Sequence, residues 1–87
     1  MNYEELKPLY DYHKSFYGKA KIIRMKDGTI QLQSYNTIVA KIDENGKLHR
    51  LWGWYSPTSM RHINEFSKQF GDGSGGKKWW ESLEVES

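Results

Sequence analysis

Two dipeptides, Asp27-Gly28 and Asn45-Gly46, limit what this chain can fold into more than any other feature. The first sits inside "KAKIIRMKDGTIQLQ" (19–33), the second inside "IVAKIDENGKLHRLW" (38–52). Asp-Gly or Asn-Gly between runs of β-branched and apolar residues marks a two-residue hairpin turn, because both positions tolerate positive φ. The expected result is antiparallel strands joined in chain order.

Turn length then sets which side chains share a face, since strands alternate with period two. A two-residue turn at Asp27-Gly28 pairs Met25 with Ile30 and Ile23 with Leu32. It sends Ile22, Arg24, Gln31 and Gln33 to the other face. A two-residue turn at Asn45-Gly46 pairs Ile42 with His49 and Ala40 with Leu51. Val39, Lys41, Arg50 and Trp52 then share the opposite face, extended by Trp54, and His49 falls at the edge of the aliphatic one. Between the hairpins, a loop at Ser34-Tyr35-Asn36 pairs Leu32 with Ile38 and places Asn36 in the left-handed region. One long bent strand from Thr29 to Asp43 would keep the same parity.

Helical signals flank this β region. Asn2 followed by Glu5 resembles a capping box, and Leu6, Leu9, Tyr10, His13, Phe16 and Tyr17 recur at helical spacing. A helix is expected over residues 3–15, interrupted or started at Pro8 and ended at Gly18. After the strands, "SPTSMRHINEF" (56–66) reads as a strand-to-helix junction. Ser56 is the N-cap, Pro57 the first-turn residue, and Met60, Ile63, Phe66 and Phe70 form an apolar stripe ending at Gly71. Arg61, His62 and Glu65 fall on the other sides. The expected class is α+β: an N-terminal helix, an antiparallel meander of about four strands, and a C-terminal amphipathic helix on the aliphatic sheet face. Residues 1–71 form the domain. Residues 72–87 are a glycine-rich linker and a tail containing Trp79 and Trp80.

Composition narrows the function classes. With 87 residues and no cysteine, one small domain without disulfides or thiolate metal sites is expected. A chain this short buries roughly 60% of its unfolded surface, which leaves little room for an enclosed substrate cavity. No run nears the roughly 20 apolar residues that span a bilayer, and the polar start is no signal peptide. The expectation is a cytoplasmic protein without a membrane partner. The three histidines lack metal-ligand spacing, and "GDGSGGK" (71–77) lacks the Ser or Thr and the following helix of a phosphate loop. No cofactor, no metal and no catalytic residue are expected. His62 with Glu65 reads as a surface pair more readily than as an acid–base couple.

Charge and aromatics point instead to binding. Positive residues cluster between Lys14 and Arg50, and the chain carries four Trp, six Tyr and three Phe. The candidate surface is the second sheet face: Arg24, Gln31, Gln33, Lys41, Arg50, Trp52 and Trp54, joined by Trp79 and Trp80 of the tail. Indoles beside cations suit an acidic protein groove or stacked single-stranded nucleic acid. The same face could be covered by the N-terminal helix or the tail, or close a homodimer.

Three stretches, "FYGKAKII" (16–23), "LQSYNTIVAKI" (32–42) and "GWYSPTSMRHINEFSKQFG" (53–71), carry a resemblance. With them the chain resembles a group of short proteins from phages, plasmids and conjugative elements of Gram-positive bacteria. The resemblance implies a mobile-element setting in a bacterial host and brings no catalytic residue. The "WWESL" tail falls outside it. The function expected is non-enzymatic: modulation or inhibition of a host or defence-system protein by direct contact, with nucleic-acid binding as the alternative.

Overall fold

In the computed structural model, which describes residues 2–7, 9, 19–53, 56–71 and 76–86, five strands form one antiparallel sheet. They are β1 (Asn2–Glu5), β2 (Ala20–Arg24), β3 (Ile30–Ser34), β4 (Thr37–Ile42) and β5 (Leu48–Arg50), and their order in the sheet is their order in the chain. Helix α1 (Pro57–Phe70) and the short α2 (Lys77–Ser82) follow. The class is α+β with a β-meander.

The N-terminus departs from expectation. Residues 2–5 are a strand paired with β2 rather than the start of a helix. Backbone pairing with Lys21 to Arg24, continued by the Leu6 N–H donating to the Ala20 carbonyl at 2.9 Å, supplies partners that local capping does not. The rest of the expected helix, residue 8 and residues 10–15, lies outside the described residues.

Both glycine turns form, but each loop is one residue longer than expected. Met25 pairs with Thr29, leaving Lys26, Asp27 and Gly28 in the loop, with Gly28 at φ +93°. Asp43 pairs with Lys47, leaving Glu44, Asn45 and Gly46, with Gly46 at φ +84°. The cause is an aspartate in the first loop and one flanking the second. Asp27 Oδ1 accepts the Thr29 N–H at 2.9 Å, while Asp43 Oδ1 accepts those of Asn45 (2.9 Å) and Lys47 (3.0 Å). These side-chain bonds favour a turn with a single left-handed residue, the glycine, over a two-residue turn with positive φ at both centres. The loop between β3 and β4 is instead shorter. Ser34 pairs with Thr37, and the left-handed residue is Tyr35 at φ +56°, not Asn36.

A one-residue change in register turns every side chain over. The observed pairs are Ile22 with Leu32, Ile30 with Ile42, Leu32 with Ala40, Ile42 with Leu48 and Ala40 with Arg50. Leu32 faces Ala40 while the next residue, Gln33, faces Ile38, so Val39 is an extra residue in β4, a bulge. The bulge lets Val39 and Ala40 both be buried, at 3% and 0% exposure.

The core cluster joins Leu6, Ala20, Ile22, Leu32, Val39, Ala40 and Ile42 with Met60, Ile63 and Phe66 of α1 and Trp80 of α2. Ser56 caps α1 as expected, accepting the Ser59 N–H at 3.1 Å, and Gly71 ends it. Trp80, at 0% exposure, makes the C-terminal segment part of the folded domain rather than a loose tail. Among the described residues, no helix is long and apolar enough to cross a membrane.

Candidate surface around Trp52

The start of α1 is pinned to the end of β3 by a chain of hydroxyls. The Ser56 hydroxyl donates to Ser59 Oγ at 3.2 Å, Ser59 Oγ lies 3.1 Å from Ser34 Oγ, and Ser34 Oγ lies 2.8 Å from His62 Nδ1. Sequence spacing places His62 and Glu65 on outer sides of the helix; both are in fact buried, at 0% and 1% exposure. They can be, because each has partners: His62 has Ser34, and Glu65 Oε2 accepts from Gln69 Nε2 at 2.6 Å. The Tyr35 ring closes over His62 with centroids 5.9 Å apart. With its Nδ1 committed and its ring enclosed, His62 is an internal polar anchor.

Beside this anchor lies a hollow of about 230 Å³ lined by Ser34, Thr37, Val39, Trp52 and Ser59. Trp52, 46% exposed, forms its rim. The backbone under that indole is held by Arg50. Its Nε donates to the Trp52 carbonyl at 3.1 Å, and Nη2 to the Gly53 carbonyl at 2.6 Å. Nη1 reaches the other way, to the carbonyls of Trp80 at 2.9 Å and Leu83 at 3.3 Å. The guanidinium also stacks 5.0 Å from the centroid of the Trp80 ring. One buried arginine thus ties the Trp52 turn to the C-terminal segment, its charge met by carbonyl dipoles and an aromatic face.

The expected recognition face therefore does not assemble as a unit. Arg50 pairs with Ala40 on the core side and is 7% exposed, because the loop at 44–46 shifts β5 by one residue. Arg24 shares parity with Ile22. Its Nε donates to Glu4 Oε1 at 2.8 Å and its guanidinium lies 5.5 Å from the Phe70 ring. Trp80 fills the core, and Trp79 packs against it partly buried. Gln31, Gln33 and Lys41 do remain together on the face opposite the core. They are joined there by Lys21, which pairs with Gln33, and by His49, which pairs with Lys41. Trp54 lies outside the described residues. Sequence reasoning missed Ser34, Thr37 and Ser59. The Ser-x-x-Ser spacing of 56 and 59 at the cap was the available signal.

His49 belongs to a second polar cluster. Its Nε2 lies 2.8 Å from Asp43 Oδ2 and its Nδ1 2.7 Å from Glu86 Oε2. The hydrogen bond with Asp43, then that with Glu86, raises the imidazole pKa above 6.5. The His49 bond, reinforced by the Lys47 amide, holds the Asp43 carboxyl down at about 2. Among the described residues, no group of three His, Asp or Glu side chains could hold a metal ion.

Against known proteins, the chain matches over residues 4–82 the sequence pattern of a family of unknown function, DUF8033. No curated protein and no solved structure matches it.

Proposed function

We propose that this chain, which belongs to the DUF8033 family, is a non-catalytic binding protein of a phage or other mobile element that docks on a host or defence-system protein through Trp52. What carries the reading is the Trp52 indole: exposed at the rim of the hydroxyl-lined hollow, on a backbone already fixed by Arg50. Tryptophans in such settings dominate contact energies because they bury large area with little ordering cost. The resemblance to mobile-element proteins supplies the class of partner.

The nucleic-acid alternative is weakened by the fate of its cations. Arg50 is buried and Arg24 is engaged with Glu4, which leaves Lys21 and Lys41 beside Gln31 and Gln33 as the basic part of the open face. Two assays separate the readings. Capture from host lysate, with wild type compared with Trp52→Ala of unchanged circular dichroism, should lose a specific partner in the variant. Oligonucleotide binding measured between about 50 and 200 mM salt should be weak and unaffected by Trp52→Ala. Equal capture by both proteins would refute the Trp52 reading.

A further inference from the structure

The C-terminal segment is held at its far end by an imidazole placed between two carboxylates. His49 on β5 reaches Asp43 at 2.8 Å through Nε2 and Glu86 at 2.7 Å through Nδ1. Around it stand Asp43 at the end of β4, Glu86 in the C-terminal segment, and Lys41, its ladder partner on β4. An imidazole can donate to both carboxylates only as the imidazolium, because the neutral ring carries a single N–H. The two acceptors are not equal. Asp43 is fixed by the backbone N–H groups of Asn45 and Lys47. Glu86, with its side chain 46% exposed, is fixed chiefly by His49. On losing a proton the ring keeps its N–H toward Asp43 and turns a lone pair toward Glu86.

We propose that His49 and Glu86 form a proton-dependent latch that fastens the C-terminal segment and, through Arg50, sets the rigidity of the Trp52 surface. The path is covalently short. The Glu86 N–H donates to the Arg50 carbonyl at 2.7 Å, and Val85 bridges Arg50 in parallel. The Arg50 guanidinium holds Trp80 and Leu83 on one side, Trp52 and Gly53 on the other. Release of Glu86 removes the outer tie of this assembly and loosens the Leu83 carbonyl on the guanidinium, while Trp80 stays anchored in the core. The regulatory consequence rests on the Trp52 reading above; the latch itself does not.

The direction in pH follows from the proton. A group whose pKa is higher in the folded chain stabilises fully below its unfolded value and ceases to do so as pH rises through the folded one. With both carboxylates ionised, the latch is therefore complete below about pH 6.5 and opens as pH rises through the higher folded value of His49. Hydrogen exchange of the Glu86 amide in the full, free protein, corrected for intrinsic base catalysis, reads the opening. In wild type its protection should fall with rising pH. The total fall should be about tenfold for each unit by which the His49 pKa exceeds that in Glu86→Gln, by reciprocity of the coupling. In Glu86→Gln the side-chain amide can accept from an imidazole N–H or donate to its lone pair, so protection should be flat. A flat wild-type profile, or a Glu86→Gln profile as steep as wild type, overturns the latch. The Trp52 indole N–H resonance, followed in the same samples, should move with the His49 midpoint in wild type only; an unmoved resonance overturns the link to Trp52. Neither measurement involves a partner, so failure of lysate capture and failure of the latch are separate results.

Discussion

Replacing Trp80 with alanine should strongly destabilise this domain, although sequence alone places the residue in a tail beyond it. The indole is wholly buried among Leu6, Ile22, Leu32, Met60, Ile63 and Phe66, and Arg50 stacks on it. Truncating a buried Trp to Ala costs about 3–5 kcal/mol. At about 0.05–0.15 kcal/mol per residue, a domain of 87 residues has a total stability of about 4–13 kcal/mol. The change therefore removes about a quarter of it or more. At about 4–8 °C per kcal/mol, Tm should fall by at least about 12 °C. A control isolates the cause. The Trp80 indole N–H is buried with no hydrogen-bond partner among the described residues, a burden of about 1–3 kcal/mol. Trp80→Phe keeps the aromatic face for Arg50 and removes that N–H, so it should recover at least half of the loss. The assay is thermal and urea unfolding followed by far-ultraviolet circular dichroism, which does not depend on the deleted fluorophore. A Trp80→Ala protein melting within a few degrees of wild type would refute the placement of this residue in the core.

Two further outcomes follow from the polar contacts. Arg50→Lys should destabilise by on the order of 2 kcal/mol in urea, because a single ammonium cannot span the carbonyls of Trp52, Gly53, Trp80 and Leu83; equal stability would show that charge alone matters there. Asp43, with its carboxyl held at about 2, has a depressed folded pKa, so its contribution is present above 3.8 and lost as pH falls toward 2. Carbon-detected titration should place its midpoint near that value in wild type, and Asp43→Asn should remove this part of the acid-induced loss of stability; a midpoint at the ordinary value would refute the turn geometry.

How far the sequence reveals this molecule depends on whether the deciding interaction is local. The bounds and apolar stripe of helix α1 were legible, since Ser56, Pro57, Met60, Ile63, Phe66 and Gly71 are read within one element; the burial of His62 and Glu65 was not. The existence of both glycine turns was legible too. Their length was not, because Asp27 and Asp43 compete as side-chain acceptors with the ideal two-residue turn. That competition moves the register by one and carries Arg50 from the open face into the interior. An aspartate two residues before Asn45 was the signal for it. Strand β1 left no local trace, since Asn2–Glu5 acquires its conformation only by pairing with β2. Trp80 stands out in the sequence by its size, but its burial comes from other elements, the sheet with Arg50 and helix α1. The candidate surface was legible in the single residue Trp52. The hydroxyl-lined hollow beside it depends on Ser34 meeting α1, a long-range contact that periodicity does not encode.

Strand order that repeats chain order has a kinetic meaning. From β2 to β5 each sheet pairing joins neighbours across a short turn, so this part of the meander can zip up through successive short-range loop closures, the regime of rapid folding. The bonds from Arg50 to Trp80, Val85 and Glu86 belong to the other regime: they wait for residues made 30 or more positions later. During synthesis a nascent sheet thus emerges with the guanidinium on its edge strand still waiting for the carbonyls of Trp80 and Leu83.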